Sequence, residues 1–97
     1  MTEIIISKSK NINKKYDARI DGKRTISFGS AGSSDFTKHK DPERKQRYID
    51  RHKKNENWND PTTAGFMSRW ITWNKPTITE SIKDTNNRFK NINIKLK

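Results

Sequence analysis

The 97-residue sequence has no cysteine, which excludes disulfides and thiolate zinc sites and is compatible with a reducing compartment. Apolar residues are also scarce, at 28% against 34% charged. A chain this short can build only a thin core, and that core must come from a few segments where the apolar residues are concentrated. No apolar run is long enough to cross a membrane. The longest at the N-terminus, Ile4-Ile5-Ile6, is too short for a secretory h-region and has no basic segment before it. Acidic residues are outnumbered, eleven to twenty-two Lys and Arg, leaving a formal charge of +11. A chain with that excess repels itself, and a polyanion relieves the repulsion by releasing its condensed counterions. Nucleic acid is the first candidate and an anionic membrane surface the second. The abundance of Lys, Asn and Ile also fits AT-rich coding, which accounts for lysines better than for the seven arginines.

Local patterns divide the chain. Ile4 to Ser7 is a β-branched strand or arm, followed by a polar, basic stretch from Lys8 to Lys15 that reads as a flexible linker. Tyr16 to Ile20 and Thr25 to Phe28 alternate apolar and polar residues around Asp21-Gly22, the signature of a β-hairpin. Gly29 to Ser34 reads as a turn, since no Lys-Ser/Thr follows to make it a phosphate loop. Asp41-Pro42-Glu43 starts a helix running to about Lys54, with Asp as N-cap and Pro in the first position. Thr62 or Thr63 caps a second helix through Trp73, whose spacing puts Phe66, Met67, Trp70, Ile71 and Trp73 on one broad face. Thr77 or Thr79 caps a third, with Ile78, Ile82 and Phe89 on its buried side. Asn91 to Leu96 alternates strictly and reads as a last strand, free to pair within the chain or with another copy.

The expected fold is therefore α+β: a β-hairpin followed by three short helices, with short terminal strands or arms. Residues 1–14 form the N-terminal strand and basic arm, 15–90 the domain, and 91–97 the C-terminal strand or arm. No internal repeat is visible.

The segment from Lys38 to Lys54 holds eight Lys or Arg and three acids. At helical spacing, Arg44, Arg47, Arg51 and Lys54 form a stripe beside the Tyr48, Ile49 and His52 side. Such a stripe positions a protein on phosphates and reads no sequence. The candidate nucleic-acid contacts are Lys38, Lys40, Arg44, Lys45, Arg47, Arg51, Lys53 and Lys54, with Arg69 and Lys75 nearby. Trp58, Trp70 and Trp73 have two readings, base stacking or core packing, and the scarcity of aliphatics favours the core. His39 and His52, with Asp41, Asp50 or Glu56 at hand, match no metal-ligand spacing and have no nucleophile motif beside them. The expectation is a protein with no catalytic residues, metal or cofactor.

Several segments are familiar together: Lys15-Tyr16-Asp17-Ala18-Arg19-Ile20, Ser34-Asp35-Phe36-Thr37-Lys38-His39-Lys40-Asp41, Arg47-Tyr48-Ile49-Asp50-Arg51-His52, Ser68-Arg69-Trp70 and Trp73-Asn74-Lys75-Pro76-Thr77. Over roughly residues 14 to 89 the chain resembles a family of small basic proteins of large nucleocytoplasmic DNA viruses, of chlorella-virus-like and mimivirus-like genomes. The resemblance implies residence in the virion, or in the host cytoplasm or virus factory during assembly. It implies genome packaging as the favoured role, with a minor capsid or core component as the rival. The phased cations make the expected packaging contact non-specific binding of double-stranded DNA, while the rival would set the basic faces on acidic capsid surfaces and add the terminal strands to a neighbour's sheet edge. The resemblance also implies that Ser34, Asp35, His39 and Asp41 are one local unit, read as loop and helix-cap architecture. Partners beyond DNA would be capsid or core proteins, or further copies joined through terminal strands; membrane insertion is not expected.

Overall fold

The computed structural model describes residues 1–97 as a four-stranded sheet with helices packed on one face. The strands are β1 (Thr2–Lys8), β2 (Lys14–Ile20), β3 (Arg24–Ser30) and β4 (Ile92–Leu96). Their order is β3-β2-β1-β4, with β1 antiparallel to β2, β2 antiparallel to β3, and β4 parallel to β1. The fold is α+β, as the patterns predict. The hairpin turns at Asp21-Gly22, both with positive φ, and the Lys23 N–H closes it onto the Ile20 carbonyl. Two consecutive left-handed residues match the twist of the flanking strands, and Asp-Gly supplies them with little strain.

Both terminal segments are strands of the sheet. Ile4 and Ile6 on β1 and Ile92 and Ile94 on β4 are buried with Ala18, Ile20 and Phe28 of the hairpin, beneath Phe66, Met67, Ile71 and Ile82 of the helices. The period-two alternation that marks these segments as strands places every second isoleucine in the same core. All three expected segments contribute strands to this one sheet. Residues 9–13 likewise form a tied turn and not a loose linker.

The helices are α1 (Phe36–His39), α2 (Pro42–His52), α3 (Ala64–Met67) and α4 (Ile78–Arg88). Asp35, Asp41, Thr63 and Thr77 cap them, each side chain accepting a hydrogen bond from a first-turn N–H. No helix is long and apolar enough to cross a membrane. The single turn α1 is additional to the three expected helices.

The second expected helix differs in kind. After α3 the chain widens into a π-helical turn, Ser68–Thr72, which ends with the Trp73 N–H on the Ser68 carbonyl. An i to i−5 bond takes in one more residue than an α-turn, so Trp70 and Trp73 do not share a face. Trp70 packs edge-on against Phe89 and donates its indole N–H to the Trp58 carbonyl, while Trp73 stacks on Tyr48. None of the three tryptophans is fully buried. They form a half-buried layer above the aliphatic core.

The outer edge of β4 is plugged from within the chain. The Asn86 carboxamide of α4 accepts from the Ile94 N–H at 2.8 Å and donates to the Ile94 carbonyl at 3.0 Å, imitating a neighbouring strand. The carboxamide thus holds the outward Ile94 backbone groups on the edge where the sequence suggests pairing through the terminal strands. Asn86→Ala is expected to cost about 1–3 kcal/mol through the two orphaned backbone groups. It is also expected to introduce concentration-dependent self-association. Chemical denaturation and sedimentation check the two effects, and a variant as stable and monodisperse as the parent would show that the carboxamide plugs nothing.

Candidate nucleic-acid interface

The cation-bearing surface is built on α2, which is held by remarkably little apolar area: Tyr48 is its only buried residue. Tyr48 lies parallel to Trp73 with ring centroids 4.4 Å apart, and His52, one turn on, is also 4.4 Å from Tyr48. Burial pushes the Tyr48 phenol above its ordinary range, with Glu56 adding to the shift. Its ring therefore stays neutral. His39 closes the other side at 5.3 Å from Trp73. Its Nδ1 accepts the Asp41 N–H, and burial, then the charge of Arg44, lower its pKa. A neutral ring with Nδ1 as acceptor fits both effects. Asp35 caps α1, Asp41 caps α2, and His39 joins the two, so three members of the local unit implied by the resemblance serve as cap architecture.

With Tyr48 inward, Arg44, Arg47, Arg51, Lys53 and Lys54 are exposed, as are Lys38 and Lys40 on and beside α1. Only Lys53 among these has a carboxylate within reach, Asp50 at 3.9 Å, a solvent-screened pair of little energy. Three of the ten sequence-predicted contacts are placed differently. Lys45 is half-buried over the Phe36 ring at 5.1 Å, and burial lowers its pKa. Lys75 is half-buried in a cleft shared with Glu80, Lys83 and Asp84. Arg69 is a packing residue. Its guanidinium lies 4.3 Å from the Trp70 ring and 5.5 Å from Trp58, and Nη1 donates to the Trp73 carbonyl. The tryptophans that suggested stacking on bases enclose this arginine instead.

Sequence reasoning missed a second basic surface. A cleft of about 500 Å³ beside the β1–β2 turn is lined by Lys8, Lys14, Lys15 and Lys38, with Tyr16 and Ile12 among its other walls. Lys14 also lines an adjoining cleft of about 340 Å³, whose far wall carries Arg51, His52 and Glu56. Lys14 thus bridges the lysine cleft and the arginine face of α2. The signal was present in the Lys8, Lys14 and Lys15 spacing, but a segment read as a linker has no face to assign.

Lys15 is the exception within the cleft. Its ammonium is 2.6 Å from Asp35 Oδ2, with both side chains largely shielded from water. The side chain reaches Asp35 by lying across Gly29, whose φ is +78° and where an added Cβ would sit 3.3 Å from Lys15 Cβ. His52 Nδ1 stands 3.6 Å from Glu56 Oε1, and the other Glu56 oxygen accepts the Trp58 indole N–H. These contacts brace the connection after α2, and no third His, Asp or Glu joins them to make a metal-holding group.

Fold and surface define a small basic α+β protein with an open, largely unpaired cationic side. The chain belongs to a family of unknown function, DUF5754, whose model matches residues 4–52, about half the chain. That span takes in most of β1, the hairpin, α1 and α2. No curated protein and no solved structure matches the chain.

Proposed function

We propose that the protein binds the phosphate backbone of double-stranded DNA without reading its sequence, as a non-enzymatic packaging or condensing component of a large DNA virus. The observation that carries this reading is the continuity of cations from Lys8 and Lys38 through Lys14 to Arg51, joining a cleft without a carboxylate to the exposed arginine stripe of α2. Exposed, unpaired cations retain their full attraction for phosphate, whereas paired ones must first give up a partner. Arg44, Arg47 and Arg51 form the centre of the contact, with Lys38, Lys40, Lys53 and Lys54 flanking it. The viral setting, in virion or virus factory, rests on the family resemblance. The rival role, a minor capsid or core component, would set the same basic faces on acidic capsid surfaces and add terminal strands to a neighbour's sheet; β1 lies inside the sheet, and Asn86 holds the outward Ile94 backbone groups of β4.

The test is fluorescence anisotropy of a labelled duplex titrated across salt concentrations with the parent and with the Arg44→Gln, Arg47→Gln, Arg51→Gln triple variant. Gln keeps helix propensity and removes the charge. Affinity is expected to fall, and the slope of log K against log salt to shrink by about 0.9 for each lost phosphate contact. Unchanged affinity and slope in a folded triple variant would sink the reading.

A further inference from the structure

The turn joining β1 to β2 is tied by hydrogen bonds on both sides of its tip. Ser9 N–H bonds the Lys15 carbonyl, Lys14 N–H the Asn11 carbonyl, and Asn13 N–H the Asn11 side-chain oxygen. Ser9 Oγ accepts the Asn11 N–H and donates to Asp17 Oδ1 at 2.7 Å. Asp17 also accepts from Ser27 Oγ at 2.6 Å and from the Lys10 N–H. The hydroxyl of Ser27, then that of Ser9, holds the Asp17 carboxyl below its ordinary range, so these bonds are made to a carboxylate. At the tip of this tied turn stands Ile12, 89% exposed and the most exposed large apolar side chain in the molecule.

A lone exposed isoleucine is unremarkable on a surface. Ile12 differs in being held on a fixed backbone, between two asparagines, above a cleft whose ionic residues are all lysines. We propose that Ile12 is a wedge that enters the minor groove of duplex DNA between two base pairs, with Lys8, Lys10, Lys14 and Lys38 on the phosphates at either side. This proposal rests on the DNA-binding reading above and adds its mode. Proteins that kink DNA from the minor groove frequently insert apolar wedges, isoleucine among them, between base steps and read the groove with Arg, Lys, Asn or Gln. A rigid turn suits this, because the wedge must push against stacked bases without folding back. Asn11 Nδ2 and the Asn13 carboxamide have no partner within the protein and are free for the degenerate acceptors of the groove floor. An anionic bilayer is the poorer occupant, since interfacial anchoring scales with apolar area and here one side chain supplies it all.

Ile12→Ala tests the wedge with little risk to the fold, because the side chain packs on almost nothing. Three readings are taken on the parent and the variant: duplex affinity across salt, fluorescence of 2-aminopurine placed at a TA step, and end-to-end energy transfer on a doubly labelled duplex. The parent is expected to brighten the 2-aminopurine and shorten the end-to-end distance. The variant is expected to lose both signals and about tenfold in affinity, with the salt slope unchanged because no phosphate contact is removed. A parent that binds without brightening the probe, or a variant that binds and bends like the parent, overturns the wedge and leaves the phosphate-binding reading standing. A parent that fails to bind duplex at low salt overturns both. Loss of binding to phosphatidylserine vesicles in Ile12→Ala, with DNA binding intact, replaces the groove with a membrane surface and also overturns the proposal.

Discussion

Lys15→Ala is expected to lower the free energy of unfolding by about 3–5 kcal/mol, the usual consequence of removing one partner from a buried ion pair. The expectation follows from where Asp35 sits. Its carboxylate is shielded from water, one oxygen receives the Lys15 ammonium at 2.6 Å, and the other accepts from the Thr37 N–H and hydroxyl. Alanine leaves that negative charge buried with hydrogen bonds but no counter-charge. The damage should concentrate where the pair joins elements: Lys15 belongs to β2 and Asp35 caps α1, so the bond ties the hairpin to the helical half. The double variant Lys15→Met, Asp35→Asn separates the causes. Asn can still cap α1 and needs no counter-charge, so the double variant is expected to be more stable than Lys15→Ala alone. Urea denaturation of both decides the matter, and a Lys15→Ala variant within about 1 kcal/mol of the parent would show that the pair is solvated in practice.

Tyr48→Ala is the second large effect, and it reaches the proposed interface directly. Truncating a buried aromatic side chain costs about 3–5 kcal/mol, and here the loss falls on a helix with no other buried residue. The stack of Tyr48 on Trp73 sets the angle at which Arg44, Arg47 and Arg51 face solvent. Without it, α2 is expected to open locally while the sheet persists. Amide exchange should accelerate across Pro42–His52 and stay slow in β1 and β2, and duplex affinity should fall although every cation remains. Tyr48→Phe is expected to be nearly neutral in both respects, because it retains the stacked ring. Slow exchange in α2 of the alanine variant would mean that α2 is held by contacts other than Tyr48.

What could be read in the sequence was local. Asp21-Gly22 announces the hairpin, Asp41-Pro42 the start of α2, and the pairs Thr62/Thr63 and Thr77/Thr79 the starts of α3 and α4, where Thr63 and Thr77 are the caps, because turn and cap chemistry act within three or four residues. The stripe of Arg44, Arg47 and Arg51 was equally legible, since helical spacing alone determines which side chains share a face. What was hidden depends on contacts between distant segments. Ser9, Asn11 and Asn13 look like linker residues until Asp17 and Ser27, on two different strands, gather them into a turn. Arg69 looks like a free cation until the π-helical turn parts Trp70 from Trp73 and Trp58 closes over it. Composition likewise favoured buried tryptophans; the structure seats them halfway, where they brace helices against one another.

The parallel pairing of β4 with β1 governs the order in which the molecule is completed. Glu3 and Asn93 meet across a separation of 90 residues, so β1, an inner strand of the finished sheet, has a neighbour on one side only until residues 92–96 have been synthesised. Before β4 arrives, the backbone of β1 offers a bare row of donors and acceptors beside Ile4 and Ile6, the kind of edge that recruits foreign strands. A chain cut short before residue 92 would keep that edge open permanently, presenting an adhesive surface to quality-control machinery. Closure over so long a separation is also slow compared with the local hairpin. β4 is therefore a latch that can close only once residues 92–96 are present.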